Sequence, residues 1–380
     1  MSHRWTKRES GFSLLEMTVA MALGTLVLGA AVQMYSQGVA ATFTVSQRAE
    51  LQQDFRAASD MLTKDLSLAG AGLGNNVQVA LATTSTTPVY GCDQALHCYI
   101  NGTAAAYPKQ GAVPYMYGLI PGWKFGPTLN ASQGPTDVVT VVYADSGFYL
   151  NCYAVSITSA TVVTFTLNGV LPPGCVLPNG VSAPQNVNDA VVGLTPGDLV
   201  EFTVTPSAGC TGCTPSVVVG EVNGTLTASS PTYNVTFATS DVLQMNQSGA
   251  ASGTLGNVVG DVGTAQRLLA ITYYIDNTIN PPRLMRQVSG HAPMPVAENV
   301  VYLKFSYDLY DSSAGVVRTD QADGGASYGL TPNQITKINI KHMSMNSTLK
   351  GVKSGYQGLD LQTSVSARDL TFNNNYPVGP

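Results

Sequence analysis

Almost every position from Met17 to Val32 is apolar, and the 31 consecutive residues between Glu16 and Arg48 carry no formal charge. About 20 such residues, wound as a helix, cross the roughly 30 Å hydrocarbon core of a bilayer. Beyond this run the pattern turns amphipathic. Val39, Phe43, Leu51, Phe55, Ala58, Leu62 and Leu66 fall on one helical face. Arg48, Glu50, Asp54, Arg56, Asp60 and Lys64 fall opposite, with Arg56/Asp60 and Asp60/Lys64 at i,i+4, and read as a solvated face. The first proline is Pro88, and Gly70-Ala71-Gly72-Leu73-Gly74 is the natural stop. One helix is therefore expected from Phe12 to about Leu68, roughly 85 Å long at 1.5 Å per residue.

After Gly74 the pattern is that of strands. Short Val/Thr/Tyr runs at Asp137–Tyr143, Thr161–Leu167, Leu199–Thr205, Ser216–Val222 and Tyr233–Ala238 are separated by Gly, Pro and Asn, and read as consecutive hairpins. A second block shows clearer alternation: Leu268–Ile275, a turn at Asn277–Pro282, Leu284–Val288, Val300–Leu309, Ile335–Met343 and Gln362–Leu370. Such alternation suits an antiparallel sheet with one face on the helix. The expected class is α+β.

Charge sharpens the picture. Only 11% of residues are charged and the net charge is -5, which disfavours an electrostatic nucleic-acid binder. Between Ala71 and Gln266 lie nine acidic residues, two lysines (Lys109, Lys124) and no arginine, a composition of exported β structure. Arg4, Lys7 and Arg8 precede the apolar run, so the positive-inside bias places the N-terminus in the cytoplasm and everything after about residue 37 outside it. A cleavable secretory signal remains open, with Ala30-Ala31 as the kind of small-residue site it would need.

Before the run stands Ser10-Gly11-Phe12-Ser13-Leu14-Leu15-Glu16: a glycine after a short basic leader, an aromatic residue, then a carboxylate entering the apolar helix. This resembles the signal of type IV prepilins and type II secretion pseudopilins, G-F-[ST]-L-x-E. The resemblance implies that a membrane prepilin peptidase cuts between Gly11 and Phe12 on the cytoplasmic side, that Phe12 is then N-methylated, and that the apolar stretch is retained. A residue without Cβ before the cut lets the backbone approach the peptidase closely. An ionised side chain at the centre of a bilayer costs on the order of 3 kcal/mol, less near its edge. Alone, Glu16 would be read as snorkelling to the interface. The resemblance supplies it with a partner, the free amino terminus of an adjacent subunit, and thereby a role in fixing register during assembly.

The second block, with Tyr273-Tyr274-Ile275-Asp276, Arg283-Leu284-Met285-Arg286 and a final strand near Ser364–Asp369, resembles PilW-type minor pilins and the related J-type pseudopilins. The implied organisation is a leader over residues 1–11, a transmembrane and stalk helix over 12–74, a β-rich insertion over 75–265 and the C-terminal sheet of a pilin head over 266–380. Many major pilins carry a proline about twenty residues into the mature helix. Here that neighbourhood is Val32-Gln33-Met34.

All six cysteines, Cys92, Cys98, Cys152, Cys175, Cys210 and Cys213, fall in the insertion. In an oxidising compartment an even count implies disulfides, and sequence proximity favours Cys92–Cys98, Cys152–Cys175 and Cys210–Cys213 among 15 connectivities. Cys210-Thr-Gly-Cys213 as a redox pair would want an electropositive helix start, whereas Pro206, Gly209 and Pro215 flank it. As half a zinc site it would need two further ligands, with His97 and Cys98 the nearest combination in sequence. Asp308, Asp311, Asp320 and Asp323 bracket a Gly-rich loop without EF-hand spacing and read as a solvated loop in preference to a calcium site. His97, His291 and His342 stand in no catalytic pattern, and no Walker A or H-E-x-x-H motif occurs. Neither cofactor nor metal is expected, nor is an enzyme.

The expected function is therefore a minor pilin, cut by a prepilin peptidase and placed near the tip of a type IV pilus. Its partners would be the major pilin, other minor pilins, the inner-membrane assembly platform and a tip adhesin. Two alternatives stand beside it. One is a J-type pseudopilin of a type II secretion system. The other is a membrane-anchored adhesin using Tyr115-Met116-Tyr117 and Trp123, residues that serve more often as core or loop packing.

Overall fold

The computed structural model describes residues 11–73, 78–82, 84, 86–98, 102–167, 171–172, 174–206, 215–224, 227–229, 231–239, 241–350, 356–367 and 370. One long N-terminal apolar helix is followed by antiparallel sheets, an α+β architecture with a large β-rich region. The chain divides into two compact units, Met1–Gln53 with Ser347–Gln357, and Asp54–Asn346 with Gly358–Pro380.

The helix runs without interruption over Leu14–Ser67. Leu51, Ala58, Leu62 and Leu66 on the expected apolar face are buried, and Arg56, Asp60 and Lys64 are exposed. Phe43, placed on the same face by periodicity, is exposed instead. The helix ends in a turn with positive φ at Gly70 and Gly72. A Cβ at Gly72 would come within 2.7 Å of the Ala144 Cβ, so the chain can pass this close to the sheet only as glycine. Gly70 N donates to Val142 O and Ala144 N to Ala71 O, which stitches the helix exit to the strand Val138–Ala144.

An eleven-stranded sheet is organised around the strand Val262–Asp276. Its first half pairs with Leu199–Thr205, and briefly with Ala154–Ser159. Its second half pairs with Val138–Ala144 on one side and Arg283–Val288 on the other. One strand thus joins what the sequence divides at residue 266. Hairpins form at Leu199–Thr205/Ser216–Glu221 and Ala154–Ser159/Val162–Thr166. The expected run of consecutive hairpins is corrected elsewhere: Val138–Ala144 pairs with Leu119–Gly122 and the central strand, and Val162–Thr166 pairs with the distant Thr232–Thr236. Local alternation specifies a strand but not its non-local neighbour.

The second block also splits. Val300–Asp311 and Ile335–Lys350 belong to a separate four-stranded sheet with Val316–Gln321 and Tyr356–Val365. The last strand ends at Val365, earlier than its expected Gln362–Leu370 span.

Within the large unit, one core is a chain of rings. Tyr153 meets Phe165 and Tyr233 edge-on at 6.5 and 6.0 Å, and Phe202 lies 6.2 Å from Phe165 and 5.3 Å from Phe237. Such contacts favour a single packing arrangement beyond the area they bury.

Candidate assembly site

Gly11, Phe12 and Ser13 are exposed and precede the helix, and Ser13 caps it: its Oγ accepts from Glu16 N at 3.3 Å. A serine here satisfies one of the four N–H groups left open at any helix start. Hydroxyls inside the apolar run turn back onto their own helix. Thr18 donates to Leu15 O, Thr25 to Ala22 O and Ser36 to Gln33 O, each at 2.9 Å. Every polar group between residues 17 and 32 except the helix ends can thus be satisfied without water, which a hydrocarbon environment demands.

Phe12, Leu14, Leu15, Met17, Met21, Leu26, Val27 and Leu28 are all at least 60% exposed. Among the described residues this is the single helix long and apolar enough to cross a membrane, and none of its apolar window is buried. Glu16 is exposed in this surface with no described partner for its carboxylate. Residues 1–10, which hold the basic leader, lie outside the described residues.

Residues 6–32 match the prokaryotic N-terminal methylation motif. No curated protein and no solved structure matches the chain. The match spans the end of the leader, Gly11, Phe12, Glu16 and the apolar first part of the helix, and stops short of the head. The chain therefore carries a type IV prepilin-like signal continuous with a helix that fits a single-pass membrane anchor. That motif implies processing by a prepilin peptidase and association with pilus machinery.

At the other end of the helix, Asp65 is buried and gathers the sheet around it. Its Oδ2 accepts from the Tyr273 hydroxyl at 2.7 Å and from Arg286 Nε at 2.8 Å, and its Oδ1 from the Tyr143 hydroxyl at 3.4 Å. Burial first, and the Asp65 charge second, push the Tyr143 phenol up to about 12 and the Tyr273 phenol further still. Both remain protonated donors.

Disulfides join Cys92 to Cys98 and Cys152 to Cys175. Cys210 and Cys213 lie outside the described residues. Each of the three histidines after the leader faces a carboxylate: His97 Nδ1 lies 3.3 Å from Asp93, His291 Nε2 2.9 Å from Asp198, and His342 Nδ1 2.8 Å from Asp360. The loop aspartates are committed singly. Asp311 binds Arg318 and Ser313, Asp320 binds Ser306 and Lys341, Asp308 accepts from Asn339, and Asp323 accepts from Gly325 and Ser327. Among the described residues no group of three His, Cys, Asp or Glu side chains could hold a metal. Of the aromatic cluster, Met116 and Tyr117 are core residues, while Trp123 is 43% exposed beneath Lys124 Nζ at 4.3 Å.

Sequence reasoning missed Asp65 and a second buried acid, Glu221. Glu221 has no exposed surface; Gln94 Nε2 donates to its Oε1 and Leu243 N to its Oε2. Burial, then the nearby Asp241 charge, raise it to about 8, and burial raises Asp241 to about 6. The signal for Asp65 was present: it is seven residues after Ala58 and four before Ala69, on the buried helical face.

Proposed function

We propose that this chain is a minor pilin: a structural, non-enzymatic subunit made as a single-pass inner-membrane precursor, with its N-terminus in the cytoplasm and its head in the periplasm. A prepilin peptidase cuts between Gly11 and Phe12, Phe12 is N-methylated, and the subunit enters a type IV pilus. The observation that carries this reading is the prepilin-like signal running straight into a 54-residue helix whose apolar surface is exposed and whose one early charge is Glu16. A carboxylate in such a surface is stabilised by an opposite charge at the same depth, because attraction grows as the dielectric falls. The methylated amino terminus of a neighbouring subunit, four residues before its own Glu16, is a charge of that kind. Removal of 11 of the 380 residues leaves 369, a bulk more easily seated at a fibre tip than in every repeat. The partners are the major pilin, other minor pilins, the assembly platform in the inner membrane and a tip adhesin.

Glu16→Ala tests the reading. The variant inserts and is processed normally, because the helix becomes more apolar, yet falls out of sheared pili. Wild-type incorporation of the variant would remove the register role of Glu16.

A further inference from the structure

Glu221 is 0% exposed and Asp241 1%, and among the described residues no cation pairs with either carboxylate. Burying an unpaired carboxylate is costly unless it is protonated or well supplied with donors. Both acids are tied to one turn. Leu243 N donates to Glu221 Oε2 at 3.1 Å, and Met245 N and Asn246 N donate to Asp241 at 2.6 and 2.7 Å. The side chain that donates to Glu221 is Gln94, from Nε2 to Oε1. Gly290 packs against the same oxygen, where a Cβ would collide with it. Of these neighbours only Gln94 lies on a segment that a covalent bond closes.

That segment is the short ring of the Cys92–Cys98 bridge. Ala95, Leu96 and His97 form its exposed outer side, Gln94 and Cys98 are half-buried, and Cys92 is buried. The ring docks through Gln94 N on Gly290 O at 3.0 Å, and the strand before it through Val89 N on Leu243 O at 2.9 Å. Asp93 Oδ1 accepts from Ala95 N and His97 N, and Leu96 stands at φ +64°, a region that a non-glycine residue seldom occupies. An open chain would lose this shape to its own conformational entropy. The other ionisable groups nearby do not compete for Glu221: His97 faces Asp93, and His291, beyond Gly290, faces Asp198. Burial keeps the Tyr90 and Tyr107 phenols protonated, which leaves Asp241 as the charge that bears on Glu221.

We infer that the Cys92–Cys98 ring is a redox-controlled cover over this acid pair: closing the bridge seats Gln94 on Glu221, shuts water out and fixes the turn 241–247, and reduction opens all of it to solvent. Closure is a thiol–disulfide exchange. One cysteine thiolate attacks a disulfide oxidant, the other resolves the mixed disulfide, and the two electrons and two protons pass to the oxidant, which leaves as a dithiol. Enclosure then favours protonated Glu221, which takes its proton from solvent. That the cover closes after export rests on the periplasmic head proposed above; the coupling between ring and acids does not.

The test compares amide exchange in the peptide 241–247 of the purified mature chain in detergent. Cys92→Ser/Cys98→Ser should speed exchange there by about tenfold, and Cys152→Ser/Cys175→Ser should not. Gln94→Ala, which leaves the bridge closed, should give the same rise, and it carries the test alone should the serine pair fail to fold. A second readout is the difference in melting temperature between pH 5 and pH 9. Opening the ring should shrink it, and adding Glu221→Gln to the open ring should change it no further. Unchanged exchange at 241–247 in Gln94→Ala, an equal rise in the Cys152/Cys175 variant, or a Glu221→Gln effect that persists in full with the ring open overturns the cover and leaves the fibre role standing. A head found in the cytoplasm overturns the fibre role and the timing of closure, and leaves the coupling intact.

Discussion

Asp65 and Arg286 are 221 residues apart in sequence, and Oδ2 of the first lies 2.8 Å from Nε of the second. This contact ties the last turns of the helix to the strand Arg283–Val288, and the Tyr273 hydroxyl ties the same carboxylate to the central strand. Removing one member of a buried pair strands the other's charge, which costs more than the pair itself contributes. Asp65→Ala is expected to lower stability by about 3 kcal/mol in urea unfolding of the mature protein in detergent, and Asp65→Ala/Arg286→Met to recover part of that loss. Equal stability of all three proteins would show that the clasp contributes nothing.

Glu221 and Asp241 make stability depend on pH in an unusual direction. Burial holds Glu221 at about 8 in the folded state against 4.5 for an ordinary glutamate. An acid whose folded pKa is raised stabilises fully below its unfolded value, and that contribution declines as pH rises from about 4.5 towards 8. Asp241, raised to about 6, acts in the same direction over a lower window. Carboxylates held low, such as Asp311 at about 2, change the balance only in stronger acid. The melting temperature should therefore be higher at pH 5 than at pH 9, and Glu221→Gln should flatten the difference. A wild-type protein more stable at pH 9 would contradict this assignment.

Closing a loop of 23 residues, the Cys152–Cys175 bridge should contribute about 3 kcal/mol, and Cys92–Cys98, spanning 6, about 2. Replacing each pair by serine and comparing urea midpoints checks the order. Non-reducing peptide mapping should also find Cys210 joined to Cys213. Bound zinc or free thiols at that pair would exclude the disulfide.

The elements whose cause is local were legible in the sequence. Glycines at 70 and 72 end the helix because positive φ and a close approach to Ala144 are both needed there. Val300–Asp311 alternates because one of its faces is buried. Ala154–Ser159 was missed, since only Val155 and Ile157 among Ser and Thr point inward, a signal too short to separate from a loop. The central role of Val262–Asp276 has no local sign, because its four partners come from all along the chain. Site residues divide in the same way. Gly11, Phe12 and Glu16 form a contiguous pattern, whereas Glu221 resembles any strand glutamate until Gln94, Leu243 and Asp241 close around it.

The most direct test is the mass of the mature N-terminal peptide from membranes of cells making the full chain. It should begin at Phe12, carry one methyl group on its amino terminus and retain the whole apolar helix, and Gly11→Leu should leave uncut precursor. A mature chain beginning after Ala30-Ala31, or one that keeps its basic leader, would contradict the prepilin reading on which the fibre role depends.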